Sequence, residues 1–304
     1  MKKPRILVCD RLEVGDLEFG GRFEVDYRPG LPRDELLKSV GGYDGLVVRS
    51  RTKVDREVIE KASKLRLIAR PGTGLDNIDV KTAELHGIAV LNSPESLVEA
   101  VSEHVILLML ALFRKLTVAD STTKAGKWEK ASLVGSELKG KTLGIVGLGR
   151  IGRRVGEIAR SFGMVIIGYD VVQIPQEVLD SLGCKVLSLE ALLAASDLVT
   201  IHVPLTPETR HLLDSRRLSL MKKTACLINT SRGGGVDEKG LVEALKEGRL
   251  GGAALDVFET EPPGGDVLSA PNIVLTPHIC GQTLEAQSDA TRSVGRKIIQ
   301  FFEK

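Results

Sequence analysis

Long hydrophobic runs and an apolar leader are both missing from this chain. The longest uninterrupted apolar run covers nine residues, 105–113, whereas a transmembrane helix needs about 20. The first residues, MKKPRILVCD, enter a strand-like pattern directly, without an apolar signal segment or a small-residue cleavage site. From these absences we expect a cytoplasmic protein that does not span a membrane.

Blocks of like charge and clusters of cysteine are also missing. The 42 basic and 40 acidic residues are interspersed and leave a net charge of +2, so neither nucleic acid nor an anionic membrane is expected as a partner. The cysteines, Cys9, Cys184, Cys226 and Cys280, lack the spacing of metal ligands. We therefore expect free thiols and no metal site.

A glycine fingerprint stands out in residues 141–170, KTLGIVGLGRIGRRVGEIARSFGMVIIGYD, between an apolar strand pattern and a helical one. Gly147 permits a tight turn, Gly149 lets a pyrophosphate approach the backbone, and Gly152 lets the helix pack close to the strand. The alternative is a glycine-rich turn without a ligand. The interpretation as a dinucleotide site predicts these cofactor contacts: Gly147, Gly149, Arg150, Ile151, Gly152 and Asp170.

Asp170 ends the second strand of this βαβ unit and is placed to accept hydrogen bonds from the adenosine ribose hydroxyls. The next three residues, VVQ, include no Arg or Lys. A 2′-phosphate would therefore meet an unpaired carboxylate, which predicts NAD as the cofactor in preference to NADP.

Strand-like segments alternate with helical patterns along the chain, which is typical of α/β folds with doubly wound parallel sheets. A dinucleotide-binding domain is predicted at 97–279, with strands at 143–146, 165–169, 198–203, 225–229, 253–257 and 273–276. A smaller, flavodoxin-like unit is predicted before it, with strands at 5–9, 23–27, 46–49, 67–69 and 88–91.

Two long helices are expected to connect these units. The first, at 97–116, leads from the smaller unit into the larger. The second, at 284–302, is expected to return to the smaller unit. The substrate-binding domain is therefore predicted to be discontinuous, 1–96 plus 280–304, with a cleft between two Rossmann-like domains.

Three charged residues follow strands of the larger domain, at the edge where open α/β sheets bind ligands. The guanidinium of Arg232 suits a bidentate grip on a carboxylate, and the imidazole of His278 suits proton transfer. Glu261 is the candidate that orients His278. The alternatives are a helix cap or surface ion pair for Arg232, a solvated acid for Glu261 and a core histidine for His278.

The motifs GKTLGIVGLGRIG, GYD, VPLTPETRHLL, INTSRGGGVDE, GAALDVFETEPP and LTPHI resemble those of the D-2-hydroxyacid dehydrogenase family over nearly the whole chain. The resemblance implies Arg232, Glu261 and His278 as the catalytic set, with His278 as the acid/base for hydride transfer between C2 of a 2-hydroxy acid and NAD. Substrate contacts are implied at Arg49, Ser50, Gly72, Thr73, Gly74, Arg232 and His278. Further NAD contacts are implied at His202, Val203, Pro204, Thr230, Asp256 and Gly281. A homodimer is implied, whereas His86, His104 and His211 are interpreted as structural or surface residues.

Within the family, VRSRTKV, GTGLDNID and GKWEK are similar to segments of the phosphoglycerate dehydrogenases, whose substrate is phosphorylated and which open serine biosynthesis. No C-terminal regulatory domain is expected. A glyoxylate or hydroxypyruvate reductase, or another D-2-hydroxyacid dehydrogenase, is the near alternative. An NAD(H)-sensing protein that resembles a corepressor is the alternative from another functional class.

Overall fold

The computed structural model describes residues 3–304. Its internal contacts divide the chain into two units, Met1–Val98 with Gly281–Lys304 and Glu99–Cys280. Each unit contains one sheet, and every strand pairing is parallel. The predicted α/β class with two parallel sheets is confirmed. Within the described part of the chain, no helix has the length and apolar character needed to cross a membrane.

The strands and helices follow one another in alternation. In chain order the strands are β1 (Arg5–Val8), β2 (Glu24–Tyr27), β3 (Gly45–Val47), β4 (Leu67–Arg70), β5 (Ala89–Asn92), β6 (Thr142–Val146), β7 (Val165–Tyr169), β8 (Lys185–Val186), β9 (Leu198–Ile201), β10 (Cys226–Asn229), β11 (Gly252–Leu255) and β12 (Ile273–Leu275). In chain order the helices are α1 (Arg33–Ser39), α2 (Arg56–Lys61), α3 (Val80–Leu85), α4 (Val98–Phe113), α5 (Leu116–Lys124), α6 (Arg150–Ser161), α7 (Gln176–Leu182), α8 (Leu189–Ala195), α9 (Ser215–Leu218), α10 (Glu238–Lys246) and α11 (Leu284–Phe302).

The sheet of the first unit has the order β2-β1-β3-β4-β5, so β1 lies inside it. Ile6 and Val8 pack on one face with Val294 and Ile298 of α11, whereas Leu7 packs in a separate cluster. Successive side chains of a strand point to opposite faces, so both faces of β1 are buried. This is why its sequence is continuously apolar.

The sheet of the second unit has the order β12-β11-β10-β9-β6-β7-β8. The chain proceeds outward from β6 in one direction and from β9 in the other. The loops that follow these two strands therefore diverge, and open parallel sheets bind ligands at such a point. Gly147 follows β6, and His202 follows β9.

The second unit differs from the prediction in its number of strands and in the helix predicted at 97–116. The sheet has a seventh strand, β8, that was not predicted. This strand consists of two exposed residues at the sheet edge, so it has no apolar pattern that would indicate a strand. The predicted helix 97–116 ends at Phe113, and Lys115 adopts a left-handed φ of 51° before a separate helix, α5, begins. Helix α6 begins at Arg150, inside the glycine fingerprint.

The four cysteines are buried, and none of them forms a disulfide bond. Burial raises the pKa of Cys9 and of Cys226 to about 12 and that of Cys184 to about 11. These three thiols are therefore protonated at neutral pH and are poor nucleophiles.

Candidate active site

The glycine turn between β6 and α6 has the conformation that its sequence requires. Gly147 adopts a φ of 99°, a region that side-chain-bearing residues rarely enter. A Cβ on Gly152 would lie 2.0 Å from the carbonyl oxygen of Gly147, whereas no atom lies within 4 Å of the corresponding position on Gly149. The turn is closed on the side of Gly152 and open at Gly149, beside the N-terminus of α6, which suits a bulky anion such as a pyrophosphate.

Asp170 follows β7 and bonds to the glycine turn. Its Oδ2 accepts a hydrogen bond from Leu148 N–H at 2.7 Å, and its Oδ1 accepts one from Val172 N–H at 3.0 Å. An ionised carboxylate offers about four acceptor sites, so capacity remains for ribose hydroxyls. Arg150 is exposed and Ile151 half-buried in the first turn of α6.

The segment after β9 packs directly on this turn. A Cβ on Gly147 would lie 2.9 Å from the backbone of His202 and from a methyl group of Val203. Burial lowers the pKa of His202 to about 3, and its Nε2 lies 3.0 Å from Thr200 Oγ1. A neutral, locally bonded imidazole of this kind suits packing rather than acid/base chemistry. Pro204, which follows, is exposed.

Thr230, directly after β10, carries a polar atom that suits a ligand. The residue is 6% exposed, and within residues 3–304 its Oγ1 has no hydrogen-bond partner. A buried hydroxyl without a partner is costly. Together with the glycine turn and Asp170, this hydroxyl fits the predicted dinucleotide site.

Arg232 lies at the start of a short turn, Gly233–Gly235, that follows β10. Asn229 Nδ2 donates to the carbonyl oxygen of Arg232 at 2.9 Å, and the guanidinium donates to Ser231 O at 2.6 Å. A Cβ on Gly233 would lie 1.9 Å from the carbonyl carbon of Phe258. The loop that carries Arg232 is thus packed against the loop that carries Glu261.

His278 and Glu261 are in contact, as the sequence analysis predicts. His278 Nδ1 lies 2.9 Å from Glu261 Oε2 and 3.1 Å from Oε1. Because an ionised carboxylate can only accept, the Nδ1 nitrogen carries the proton and Nε2 is left for a reacting group. The side chains are 47% and 40% exposed, so a substrate in solution can reach them.

Asp256 holds the segment on both sides of His278. Its carboxylate is fully buried and accepts hydrogen bonds from Thr276 Oγ1 at 2.6 Å, Ile279 N–H at 2.9 Å and Cys280 N–H at 2.9 Å. Within this frame His278 adopts a left-handed φ of 55°. The NAD contact implied for Asp256 remains a prediction, since these bonds are made to the protein's own loop.

His104 also belongs to this network, although it is not among the predicted site residues. His104 Nε2 lies 3.3 Å from Thr276 Oγ1 and 3.7 Å from Asp256 Oδ1. Burial lowers the pKa of His104, and the charge of Asp256 opposes that shift. Its place in an apolar helix gives no sequence signal for this contact with the strand ends.

In the first unit, Arg49 and Ser50 follow β3 in a loop that two other residues hold. Asp10 Oδ2 accepts from Arg49 N–H at 2.6 Å, and Asp10 Oδ1 accepts from Arg51 Nε at 3.0 Å. Asn77 Nδ2 donates to the carbonyl oxygens of Arg49 and Thr52 at 2.7 and 2.6 Å. Neither Asp10 nor Asn77 is among the predicted site residues, although Asp10 directly follows the strand predicted at 5–9 and could have been found by that rule.

A cavity of about 400 Å³ within the first unit adjoins this loop, and its lining includes Arg11, Arg49, Ser50 and Arg51. Burial lowers the pKa of Arg49, against the charge of Asp10, and its guanidinium donates to Gln287 Oε1. Three guanidiniums around one cavity favour an anionic ligand.

The predicted glycine contacts of the first unit lie near a separate turn. Gly72 adopts a φ of 134°, and its N–H donates to Ser93 Oγ at 2.8 Å. Asn92 Nδ2 donates to Thr73 O at 2.7 Å, while Gly74 is half-buried. Gly281 lies on the C-terminal segment, where its carbonyl oxygen accepts from Gln287 Nε2 at 2.6 Å.

Comparison with known proteins agrees with this geometry. Residues 106–280 match the NAD binding domain of the D-isomer specific 2-hydroxyacid dehydrogenases. The chain is similar to a hydroxypyruvate reductase of Thermotoga maritima, which is 44% identical over 89% of this chain and 87% of its own length. The chain belongs to the D-isomer specific 2-hydroxyacid dehydrogenase family. The predicted family resemblance and the predicted cofactor, NAD, are confirmed.

Other members of the 2-hydroxyacid dehydrogenase family extend the comparison. A D-3-phosphoglycerate dehydrogenase of Methanocaldococcus jannaschii is 47% identical over 97% of this chain, which spans 56% of that relative's length. A glyoxylate reductase of Paecilomyes thermophila has a crystal structure with a TM-score of 0.92, 32% identity and coverage of 100% of this chain and 97% of that one. The chain thus spans about half the length of the phosphoglycerate dehydrogenases that it matches and nearly the full length of the reductases.

The span that matches the family's NAD binding domain contains all three predicted catalytic residues, Arg232, Glu261 and His278. It also contains the glycine turn and Asp170. The predicted substrate contacts of the first unit, Arg49 among them, lie outside that span, so their roles depend on the geometry of the first unit alone.

Proposed function

We propose that this protein is an NAD-dependent dehydrogenase that oxidises D-3-phosphoglycerate to 3-phosphohydroxypyruvate, the reaction that opens serine biosynthesis. The observation that carries the proposal is the contact between His278 Nδ1 and Glu261, at 2.9 Å, within an NAD binding domain. The similarity to phosphoglycerate dehydrogenases over 97% of the chain supports this choice of substrate.

His278 is the proposed acid/base of the reaction. Its Nε2 accepts the proton of the C2 hydroxyl as the C2–H bond breaks, and the alcohol becomes a ketone. In the reverse direction Nε2 returns the proton to the carbonyl oxygen. NAD, when bound, supplies the acceptor for the two electrons that leave C2 with hydrogen.

Glu261 and Arg232 prepare the proton transfer. Glu261 accepts the Nδ1 proton and so fixes the tautomer in which Nε2 is free. Arg232 holds the substrate carboxylate, because a guanidinium forms two parallel hydrogen bonds with it. Fixing both groups before reaction removes part of the entropic cost of the step.

The first unit supplies the proposed contacts with the rest of the substrate. Arg49, Ser50 and the turn at residues 72–74 are its predicted contacts, and the cavity beside Arg49 and Arg51 suits a phosphate. The competing function, reduction of hydroxypyruvate or glyoxylate, is favoured by one observation, the 87% coverage of the Thermotoga maritima reductase. The two functions differ in whether the substrate carries a phosphate group.

The test is a comparison of kcat/KM for 3-phosphohydroxypyruvate and for hydroxypyruvate, each with NADH. Charged hydrogen bonds to a phosphate are worth about 1.5–3 kcal/mol, which predicts a preference of roughly 10- to 100-fold for the phosphorylated acid. Equal or reversed values would assign the protein to the reductases. Tight NADH binding without turnover of either acid would indicate a binding protein instead.

We also propose a homodimer, formed through the face that contains α5. No residue of α5 is buried in the isolated chain, and the segment exposes Leu116 by 52%, Trp128 by 85% and Val134 by 73%. Exposed apolar side chains grouped in this way are typical of an interaction surface. The mass in solution is expected at twice 32.8 kDa, and a monomeric mass at micromolar concentration would contradict the proposal.

A further inference from the structure

A second pair of histidine and glutamate contains a residue that is close to Glu261 in sequence. His211 Nε2 is 3.2 Å from Glu259 Oε2, and Glu259 comes two residues before Glu261. The side chains are 38% and 29% exposed, but His211 Nε2 itself is buried and has no hydrogen-bond partner within residues 3–304, so the contact with Glu259 is an ion pair without hydrogen-bond geometry. The significance of the pair therefore depends on what its two members connect.

The backbone of His211 is bonded to the loop that carries Arg232. His211 N–H donates to Gly234 O at 2.8 Å, and Leu213 N–H donates to Gly235 O at 3.1 Å. His211 has a left-handed φ of 47°, which is uncommon for a residue other than glycine. Such a conformation persists only where the surrounding structure holds it.

Glu259 is bonded in turn to the first residue of α10. Glu238 N–H donates to Glu259 Oε1 at 3.0 Å, and Glu259 N–H donates to Glu238 Oε2 at 3.3 Å. This exchange brings two carboxylates together, and burial, with the charge of Glu259, raises the pKa of Glu238.

The turn that follows Glu259 leads directly to Glu261. Phe258 N–H donates to Glu261 Oε1 at 3.3 Å, and the backbone of Phe258 is packed against Gly233, where a Cβ would lie 1.9 Å away. One residue separates Glu259 from Glu261, and the Glu261 side chain is bonded back to Phe258 on the other side of Glu259, so we expect a shift of Glu259 to alter the position of Glu261.

We propose that His211 is a positioning residue that acts through Glu259 to hold Glu261 against His278. The proposal rests on the acid/base role proposed above for His278 and Glu261. It gives His211, interpreted from the sequence as structural or surface, a part in catalysis without contact with the substrate.

The test is a double-mutant cycle of His211→Ala and Glu261→Gln, with kcat measured for whichever keto acid the wild type reduces with NADH. We expect His211→Ala to lower kcat about tenfold while the KM for NADH stays within about twofold. The double variant should be no slower than Glu261→Gln alone, since both changes act on one contact. An unchanged kcat in His211→Ala, or losses that multiply in the double variant, would overturn the proposal.

Two further variants keep the test decisive. Glu259→Gln retains an acceptor oxygen and removes the charge, so it should reproduce the His211→Ala result if that variant folds poorly. Lys246→Ala removes the exposed ion pair with Asp266 at 2.6 Å in the same unit and should keep wild-type kcat. If Glu261→Gln alone leaves kcat unchanged, both the proposed acid/base pair and the role of His211 are contradicted. If Glu261→Gln lowers kcat and the two single-variant losses of kcat multiply in the double variant, only the role of His211 is contradicted.

Discussion

The glycine turn of the second unit and the loop at residues 49–52 of the first unit are fixed by different means. At the glycine turn the lack of side chains decides the shape, since a Cβ on Gly152 would lie 2.0 Å from Gly147 O. At residues 49–52 a side chain decides it, because Asp10 accepts the N–H groups of Arg49 and Thr52 at 2.6 and 3.3 Å. A turn fixed by packing is disrupted by an added methyl group, and a loop fixed by a carboxylate is disrupted by removing that carboxylate.

The two units also have different proposed roles in binding and catalysis. The second unit holds the NAD site and the pair His278–Glu261, and the first unit offers a cavity lined by Arg49 and Arg51. Variants of the two regions should therefore change different kinetic constants.

His278→Ala should have the largest effect, since it removes the proposed acid/base itself. We expect kcat to fall by about 10² to 10⁴, the usual contribution of general acid/base catalysis. The Kd for NADH, measured by fluorescence titration, should stay near the wild-type value. Near-normal turnover would remove His278 from the role, and a matching loss of NADH binding would make it a cofactor contact.

Gly152→Ala tests the packing of the glycine turn. The added methyl group must displace the Gly147 carbonyl, and overpacking of this kind costs about 1–3 kcal/mol. If this cost reduces the binding free energy of NADH, the Kd for NADH should rise about 10- to 100-fold. Gly264→Ala is the matched control, because no atom lies within 4 Å of its Cβ position. An unchanged NADH affinity in Gly152→Ala would show that the turn relaxes freely.

Asp10→Ala tests the loop of the first unit. The carboxyl is 3% exposed, and its loss leaves the Arg49 and Thr52 N–H groups without their acceptor, at a cost of about 1–3 kcal/mol in unfolding free energy. We expect the KM of the keto acid to rise about tenfold while the Kd for NADH is unchanged. Glu35→Ala, which removes the exposed Arg28 pair at 2.6 Å, is the control. Equal changes in both constants would argue against the division between the units.

Glu95→Gln should have the smallest effect and depends on pH. Burial alone would raise the pKa of Glu95, but hydrogen bonds from Lys297 and Ser293 of α11 lower it to about 2. A carboxyl with a depressed folded-state pKa contributes stability that is present above its ordinary value and is lost as pH falls toward 2. Because Glu95 is partly exposed, we expect the variant to lose less than about 1 kcal/mol at pH 7. Urea unfolding at pH 7 and pH 3 checks this, and an equal loss at both would contradict it.

The parts of the molecule that the sequence predicts are those fixed by local spacing. The glycine turn needs three residues without side chains within six positions, and helix α11 has the predicted bounds, 284–302. Arg232, Glu261 and His278 are predicted as site residues because a parallel sheet brings its strand ends to one edge, and the structure brings Glu261 and His278 into contact. Each rule depends on neighbours in the chain or on the regular order of a sheet.

The parts that the sequence does not predict depend on contacts between distant residues. Gln287 bonds to Arg49 from 238 positions away, and Asp10 from 39. The contact of His104 with Thr276 spans 172 positions. No local pattern reports such pairs, because only the folded chain brings their polar atoms together.

The most direct test of the proposed mechanism is chemical rescue of His278→Ala by added imidazole. If Nε2 of His278 transfers the proton, the rate of NADH oxidation with the keto acid should rise with imidazole concentration, while Glu261→Gln should gain nothing from imidazole. A rate that stays low at every imidazole concentration, in a variant that binds NADH normally and unfolds at the wild-type temperature, would contradict the account.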